Sequence, residues 1–249
     1  VKQRADLLLV ERGLAPSRAK AQALILAGRV FVGERRVEKA GETLPADAAV
    51  SVAAGERFVS RGGEKLQGAL DELGPTVSGL TCVDIGASTG GFTDCLLQAG
   101  AQRVYAVDVG HGQLAHTLRN DARVVVMERT NARHLDQSAF ADSIDLVVVD
   151  ASFIGLPKLL PAIAKIVKPG GELLALIKPQ FEVGREAASR AEGVITDPAE
   201  RERAIQDVKR AIAAHGFVIV GECDSKLRGP KGNLEHFVYA RQNTSTHTS

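Results

Sequence analysis

The sequence predicts an α/β protein: a seven-stranded, largely parallel sheet behind a small α+β unit. Three observations carry that expectation. Strand-sized apolar runs alternate with helical patterns from about residue 80 onward. A glycine-rich turn closes the first of these runs. The opening 60 or so residues follow another grammar, two short helices and then short strands.

The elements are justified in order. Residues 4–12 carry Leu7 and Leu8 on a helical pattern that stops at Gly13. Pro16-Ser17 opens a second helix running to Ala27, with Gly28 as its end signal. Val30-Phe31-Val32, Arg36-Val37 and Val50-Ser51-Val52 read as short strands around the Gly33-Glu34 turn. Residues 53–63, with Gly55, Gly62 and Gly63, form the expected boundary. Beyond it, strands are expected at Leu80–Ile85, Val104–Val109, Val124–Met127, Ile144–Asp150, Leu173–Lys178, Val218–Gly221 and His236–Ala240. Helices are expected at Phe92–Gln98, Pro157–Val167 and Pro198–His215. A short glycine-rich loop with no helix joins the last two strands, so they should form an antiparallel pair at one edge. The resulting divisions are 1–59, 60–242 and a small polar tail, 243–249, expected to be disordered.

Composition bounds the function classes. The 249 residues are 45% hydrophobic and 24% charged, ordinary for a globular protein. The longest apolar runs, such as Leu146–Val149 and Leu173–Ile177, are strand-sized, far below the ~20 residues that span a bilayer. The first residues show no signal-peptide core. Cys82, Cys95 and Cys223 form no C-x-x-C pair, so neither a disulfide framework nor a zinc site is expected. They read as reduced, buried thiols of a cytoplasmic protein. Net charge is +1, but residues 1–65 hold 12 Lys and Arg against 8 Asp and Glu. The small unit is the basic end, as suits a partner-binding module.

Asp84-Ile85-Gly86-Ala87-Ser88-Thr89-Gly90-Gly91-Phe92 places a glycine-rich turn between a strand and a helix. Open α/β sheets bind nucleotide-like ligands there, because glycine lets the backbone approach closely. Asp108 ends the next strand, where a carboxylate accepts hydrogen bonds from a ribose diol. Three readings compete. Gly86-x-Ser88-x-Gly90 matches a hydrolase nucleophile elbow, but it follows the first strand and no H-G-G-G-like segment accompanies it. A dinucleotide fingerprint would have glycine where Ser88 stands. An S-adenosylmethionine loop tolerates that variation. The candidate cofactor residues are Asp84, Gly86, Ala87, Ser88, Gly90, Gly91, Phe92 and Asp108. Asn131, after the third strand, joins them either as an adenine contact or as a loop cap.

Four charged residues fall where a parallel sheet presents side chains at its ligand edge. Asp150 ends an apolar strand, Lys178 ends another, Glu235 starts the last, and Lys65 lies at the head of the large domain's first helix. For any one of them a structural ion pair is as good a reading; the four together favour function.

At these residues the chain resembles a known family. Ser60–Leu66, Gly86–Thr93, Lys178-Pro179-Gln180-Phe181-Glu182-Val183-Gly184 and Gly229-Pro230-Lys231-Gly232-Asn233-Leu234-Glu235 are similar to the TlyA family. That family is also known as haemolysin A and groups with FtsJ-like ribose methyltransferases. Residues 4–241 carry the likeness. It implies a Rossmann-like methyltransferase sheet, S-adenosylmethionine as cofactor, ribosomal RNA as partner and a Lys65-Asp150-Lys178-Glu235 tetrad. It implies cytidine in large-subunit RNA, in some members also small-subunit RNA; the short stretch after the last strand fits the large-subunit-only kind. Lys178 is the expected base: a lysine flanked by another cation in a partly dry site loses its proton more readily. Asp150 and Glu235 would orient, and Lys65 would stabilise the developing oxyanion.

The small unit resembles the RNA-binding module named after the fourth small-subunit ribosomal protein. Arg4–Leu8, Ser17-Arg18 and Gly28–Gly33 carry that likeness, with Val32 where the family often has Asn. Arg4, Arg18, Lys20, Arg29, Arg35 and Arg36 are the expected phosphate contacts; a solvated charged surface is the plainer reading. The stretch Arg185–Thr196, with Arg185 and Arg190, reads as a closing loop or a long surface loop. His111, His116, His134 and His236 lack metal-ligand spacing, and no metal is expected. Two rival functions are a membrane-lytic protein, which the haemolysin name suggests, and a ribosome-assembly factor that binds RNA without turnover.

Overall fold

The computed structural model describes residues 2–53, 55–183 and 193–244. Arg185, Arg190 and tail residues 245–249 lie outside them. The chain divides into two compact units, Val1–Glu56 and Arg57–Ser249.

The first unit holds β1 (Lys2–Arg4), α1 (Ala5–Glu11), α2 (Arg18–Leu26), β2 (Val30–Val32), β3 (Arg35–Arg36), β4 (Thr43–Pro45) and β5 (Val50–Val52). Ser17 caps α2, its side chain accepting from the Lys20 N–H at 3.2 Å. Gly28, in the left-handed region at φ +69°, follows that helix. β3, β2 and β5 form an antiparallel sheet. The strands β1 and β4, not expected from the sequence, form a separate ribbon. Leu8, Leu9, Leu24, Ile25, Val30, Val37 and Leu44 close a small core. Beside it lies Asp6, fully buried and bound by Arg4, Arg18 and Gln22.

The second unit carries α3 (Arg61–Leu73), β6 (Thr81–Ile85), α4 (Gly91–Gln98), β7 (Arg103–Val107), α5 (His116–Arg119) and β8 (Val124–Met127). It continues with β9 (Ile144–Val149), α6 (Leu160–Ile166), β10 (Val167–Ile177), α7 (Pro179–Glu182), α8 (Pro198–Ala214), β11 (Phe217–Asp224) and β12 (His236–Gln242). Seven strands form one sheet in the order β11-β12-β10-β9-β6-β7-β8. The five from β10 to β8 are mutually parallel, and their near-continuous apolar sequences fit burial on both faces. One face packs on α6 and α8 through Ile163, Ile205 and Val208; the other packs on α3 and α4 through Leu66, Cys95 and Leu96. All three cysteines are free and buried.

The last two strands do pair antiparallel, with β12 inserted between β10 and β11 and antiparallel to both. Two expectations need correction. The helix expected from Pro157 starts at Leu160, after a 3-10 turn at Leu156–Lys158, because Pro157 and Pro161 interrupt helical hydrogen bonding. Between β8 and β9 only 3-10 turns appear, at Ala132–His134 and Gln137–Ala139.

β6 is the switch point of the sheet: β7 lies on one side of it and β9 on the other. The crevice outside the carboxyl ends of β6 and β9 is where such sheets bind ligands. The glycine loop leaves β6 and Asp150 leaves β9 at that crevice.

Candidate active site

The loop after β6 is shaped by close approaches. Gly86 has φ +88°, and a Cβ there would lie 2.8 Å from the Asp150 carbonyl oxygen. Gly90 has φ +98°, and its missing side chain admits Leu114 and Leu118. A Cβ on Gly91 would strike Ser60 Oγ and the Gly63 N–H, so this glycine lets the head of α4 meet the head of α3. Ser88 takes φ +50°, uncommon for a residue with a side chain. Its N–H donates to Asp108 Oδ2 at 2.8 Å, and the Gly110 N–H donates to Asp108 Oδ1 at 2.6 Å. Asp108 therefore ties the loops after β6 and β7 together.

A cavity of about 550 Å³ opens here, lined by Gly86, Ser88, Asp108, Gln113, Asn131 and Asp150 among others. Asn131 is a loop cap, its side chain accepting from the Arg133 N–H at 3.1 Å, and it also lines the cavity. Ala87, Gly91 and Phe92 line the adjoining cavity, of about 340 Å³. Asp84 and Gly90 line neither. Asp84 is fully buried beneath the loop, where Thr93 Oγ1 donates to Oδ2 at 2.7 Å. Burial pushes its carboxyl up to about 7, partly offset by that bond. Asp84 and Gly90 thus shape the loop from behind, a correction to their expected ligand contact. The remaining acceptors, above all Asp108, fit a nucleoside-bearing cofactor such as S-adenosylmethionine.

The four tetrad residues meet as two ion pairs. Lys178 Nζ lies 2.6 Å from Asp150 Oδ1 and donates to Ser152 Oγ at 2.9 Å. Lys65 Nζ lies 2.5 Å from Glu235 Oε2, a pair 170 positions apart. Lys65, Lys178 and Glu235 are buried. Each lysine is matched to its own carboxylate, where the sequence reading had placed a second cation beside Lys178. Desolvating such a pair costs much of its mutual attraction, so the buried Lys65–Glu235 pair is poor stability design. Lys65, Asp150 and Lys178 line the 340 Å³ cavity with Gly86 and Ser88, which brings the lysines to the cofactor loop. Glu235 Oε1 accepts no hydrogen bond among the described residues and lies against Gly229, where any side chain would collide with it.

Lys178 and Glu235 also line a third and larger cavity, of about 810 Å³. Its apolar wall includes Phe153 and Phe181, with ring centroids 5.3 Å apart. Phe153 is 92% exposed and sits at φ +66°, a strained position that points to function. Asn233 closes another side. It donates to the Gly193 carbonyl and accepts from the Ile195 N–H, fixing the chain at 193–195. Sequence reasoning did not promote Ser152, Phe153, Gln180, Glu182 or Asn233. The last three stood inside quoted motifs, and Ser152-Phe153 directly follow the Asp150 strand. Among the described residues no group of three His, Cys, Asp or Glu is placed to hold a metal ion.

In the first unit the six basic candidates differ. Arg4 and Arg18 bind Asp6, and their salt bridges hold its carboxyl well below the usual range. Arg29 donates to the Ala53 carbonyl, and Arg35 pairs with Glu42. The Arg36 side chain lies against Gly28. Lys20 is exposed and in no ion pair among the described residues.

Comparison with known proteins agrees with this architecture. Residues 58–242 match the FtsJ-like methyltransferase family and residues 3–50 match the S4 domain. The chain is 47% identical over 243 residues to the 16S/23S rRNA (cytidine-2'-O)-methyltransferase TlyA of Mycobacterium tuberculosis, covering 97% of this chain and 90% of that one. It is 43% identical to Hemolysin A of Brachyspira hyodysenteriae, covering 95% and 98%. A Streptococcus thermophilus protein described as a hemolysin superposes with TM-score 0.75 at 38% identity, covering 98% and 90%. The chain therefore belongs to the TlyA family of FtsJ-like methyltransferases, with an S4 domain ahead of its methyltransferase domain.

Proposed function

We propose that this chain methylates a ribose 2′-hydroxyl of ribosomal RNA, a cytidine as in its M. tuberculosis relative, using S-adenosylmethionine. One observation carries the reading: two lysine–carboxylate pairs, Lys65–Glu235 buried and Lys178–Asp150 partly so, stand where the cofactor-loop cavity meets a larger one. Gly86, Ser88, Asp108 and Asn131 would hold the cofactor. When bound, S-adenosylmethionine supplies a methyl on a positively charged sulfur, whose carbon–sulfur bond breaks as the carbon–oxygen bond forms.

Lys178 takes the proton from the 2′-hydroxyl as the carbon–oxygen bond forms. Asp150, 2.6 Å away, holds the ammonium that results. Such base assistance supplies about 10²–10⁴-fold. Lys65, fixed by Glu235, stabilises the oxygen as charge builds on it. The S4 domain recruits the RNA through Lys20 and the outward faces of Arg4, Arg18, Arg29, Arg35 and Arg36. A ribosomal substrate places the enzyme in the cytoplasm. Among the described residues no helix is long and apolar enough to cross a membrane.

The test is methyl transfer from labelled cofactor to purified ribosomal subunits, followed by mapping of 2′-O-methylated positions. Label at one ribose is the expected result. Label on a base, or RNA binding with no transfer in a single turnover, would overturn the proposal.

A further inference from the structure

The large cavity beside Lys178 has a wall that the methyl-transfer chemistry does not use. Glu182, at the end of α7, lines it, with its carboxyl held in place at one oxygen. Oε1 accepts the Leu156 N–H at 2.8 Å. Oε2 accepts no hydrogen bond and meets no cation within ion-pair distance among the described residues. Burial pushes the group up to about 7, with that amide and the charge of Lys158 offsetting it only in part, so near neutral pH Oε2 serves as acceptor when a ligand donor holds the carboxyl ionised. An acceptor left uncommitted at the cavity is open to a ligand's donor. Gly155 keeps that oxygen uncovered: a Cβ there would lie 2.9 Å from Oε2. Gln180 lines the same cavity, with its Oε1 buried away from it.

An acceptor without a donor matches an exocyclic amino group. It mismatches a keto oxygen, which would face it as a second acceptor. Cytosine and uracil differ at that position in this way. We infer that Glu182, through Oε2, accepts a hydrogen bond from the amino group of the target base and so selects cytosine over uracil. This rests on the ribose-methylation reading, which places the target nucleoside in the cavity that holds Lys178.

Glu182→Gln is the informative variant. It keeps the volume and keeps an oxygen for the Leu156 N–H, but it turns the free acceptor into a donor. A donor repels the amino group and suits a keto oxygen. Gly155→Ala tests the same oxygen from outside, because its methyl displaces Oε2 while its φ of −69° is ordinary for alanine.

The assay uses full-length protein and ribosomal RNA transcripts carrying either the mapped target nucleotide or uridine there. The wild type should prefer cytidine by at least about 100-fold in kcat/KM. Glu182→Gln should lose about 10-fold or more on cytidine and gain on uridine. Gly155→Ala should narrow the ratio without reversing it. Cofactor affinity and melting temperature should stay near wild type, which separates lost selectivity from lost folding. A wild-type cytidine-to-uridine ratio retained by folded Glu182→Gln overturns the inference, as does a natural target whose base lacks an amino group. Wild-type protein that methylates no ribose at all overturns the ribose reading instead.

Discussion

Asp6 and Asp84 are both fully buried aspartates, one in each unit, and they respond to burial in opposite ways. Asp6 is ringed by Arg4, Arg18 and Gln22, and its carboxyl is held well below the ordinary range. Asp84 has only the Thr93 hydroxyl and backbone, and its carboxyl is pushed up to about 7. Desolvation acts on both, so the difference lies in the partners. The S4 domain uses its charges to hold a small core together. The methyltransferase domain leaves Asp84 under-compensated beneath its glycine loop.

The contrast breaks most visibly at Lys178. Lys178→Arg keeps a cation beside Asp150 but removes a group able to lose its proton. Methyl transfer should fall by more than 100-fold, about 2.7 kcal/mol or more in the barrier, with cofactor and RNA binding retained. Labelled transfer under saturating RNA measures it. A variant keeping more than about a tenth of the rate would make Lys178 an anchor for the substrate.

Asp108 is the next largest effect. Asp108→Ala removes an acceptor that ties two loops and faces the cofactor cavity. Cofactor affinity should weaken by up to about 3 kcal/mol, the worth of a hydrogen bond to a charged group. Calorimetry with S-adenosylhomocysteine reads this directly, and unchanged affinity in a folded variant would remove Asp108 from the site.

In the S4 domain, Asp6→Ala should cost about 1–2 kcal/mol of local stability. The loss stays below that of a deeply buried pair because Arg4 and Arg18, about half exposed, return to water. Amide exchange should quicken across residues 2–53 and stay unchanged in the sheet of the second unit.

Acid and base should separate the two aspartates. The folded value of Asp6 is depressed, so its stabilisation is present above the ordinary carboxylate range and lost as pH falls through the folded value. That of Asp84 is raised, so its contribution is fully present below about 4 and lost as pH rises through about 7. Asp84→Asn should therefore melt at a more constant temperature than wild type between pH 5 and 8. Parallel melting curves would remove Asp84 as the source of the slope.

The smallest effect separates recruitment from structure. Lys20→Glu should weaken ribosomal RNA binding several-fold and flatten its salt dependence, because fewer counterions are released. Arg18→Glu should do the same and also loosen the domain, since Arg18 holds Asp6. Equal melting temperatures for the two variants would show that the Asp6 pairing carries no stability.

Local signals in this chain were readable where a short segment encodes its own outcome. Alternating apolar runs located every strand of the large sheet, because strand and helix periods differ within a few residues. The Gly86–Gly91 turn and Asp108 were visible because a left-handed or crowded backbone position demands glycine. The tetrad was named from the family resemblance, with Asp150, Lys178 and Glu235 at strand ends and Lys65 at a helix head.

What the sequence by itself determined was therefore the order of elements and the glycine loop, with four charged residues marked as a candidate set. The tertiary structure alone decided their pairing. Inserting β12 between β10 and β11 brings Glu235 to Lys65 across 170 positions, and no local pattern records that contact. It also decided that Asp84 and Gly90 support the loop from behind, that Arg4 and Arg18 share Asp6, and that Glu182 faces the cavity with one oxygen unclaimed. The physical reason is common to all of these. Burial and partnership depend on which distant segments pack together, while periodicity and turn chemistry are settled by neighbours in the chain.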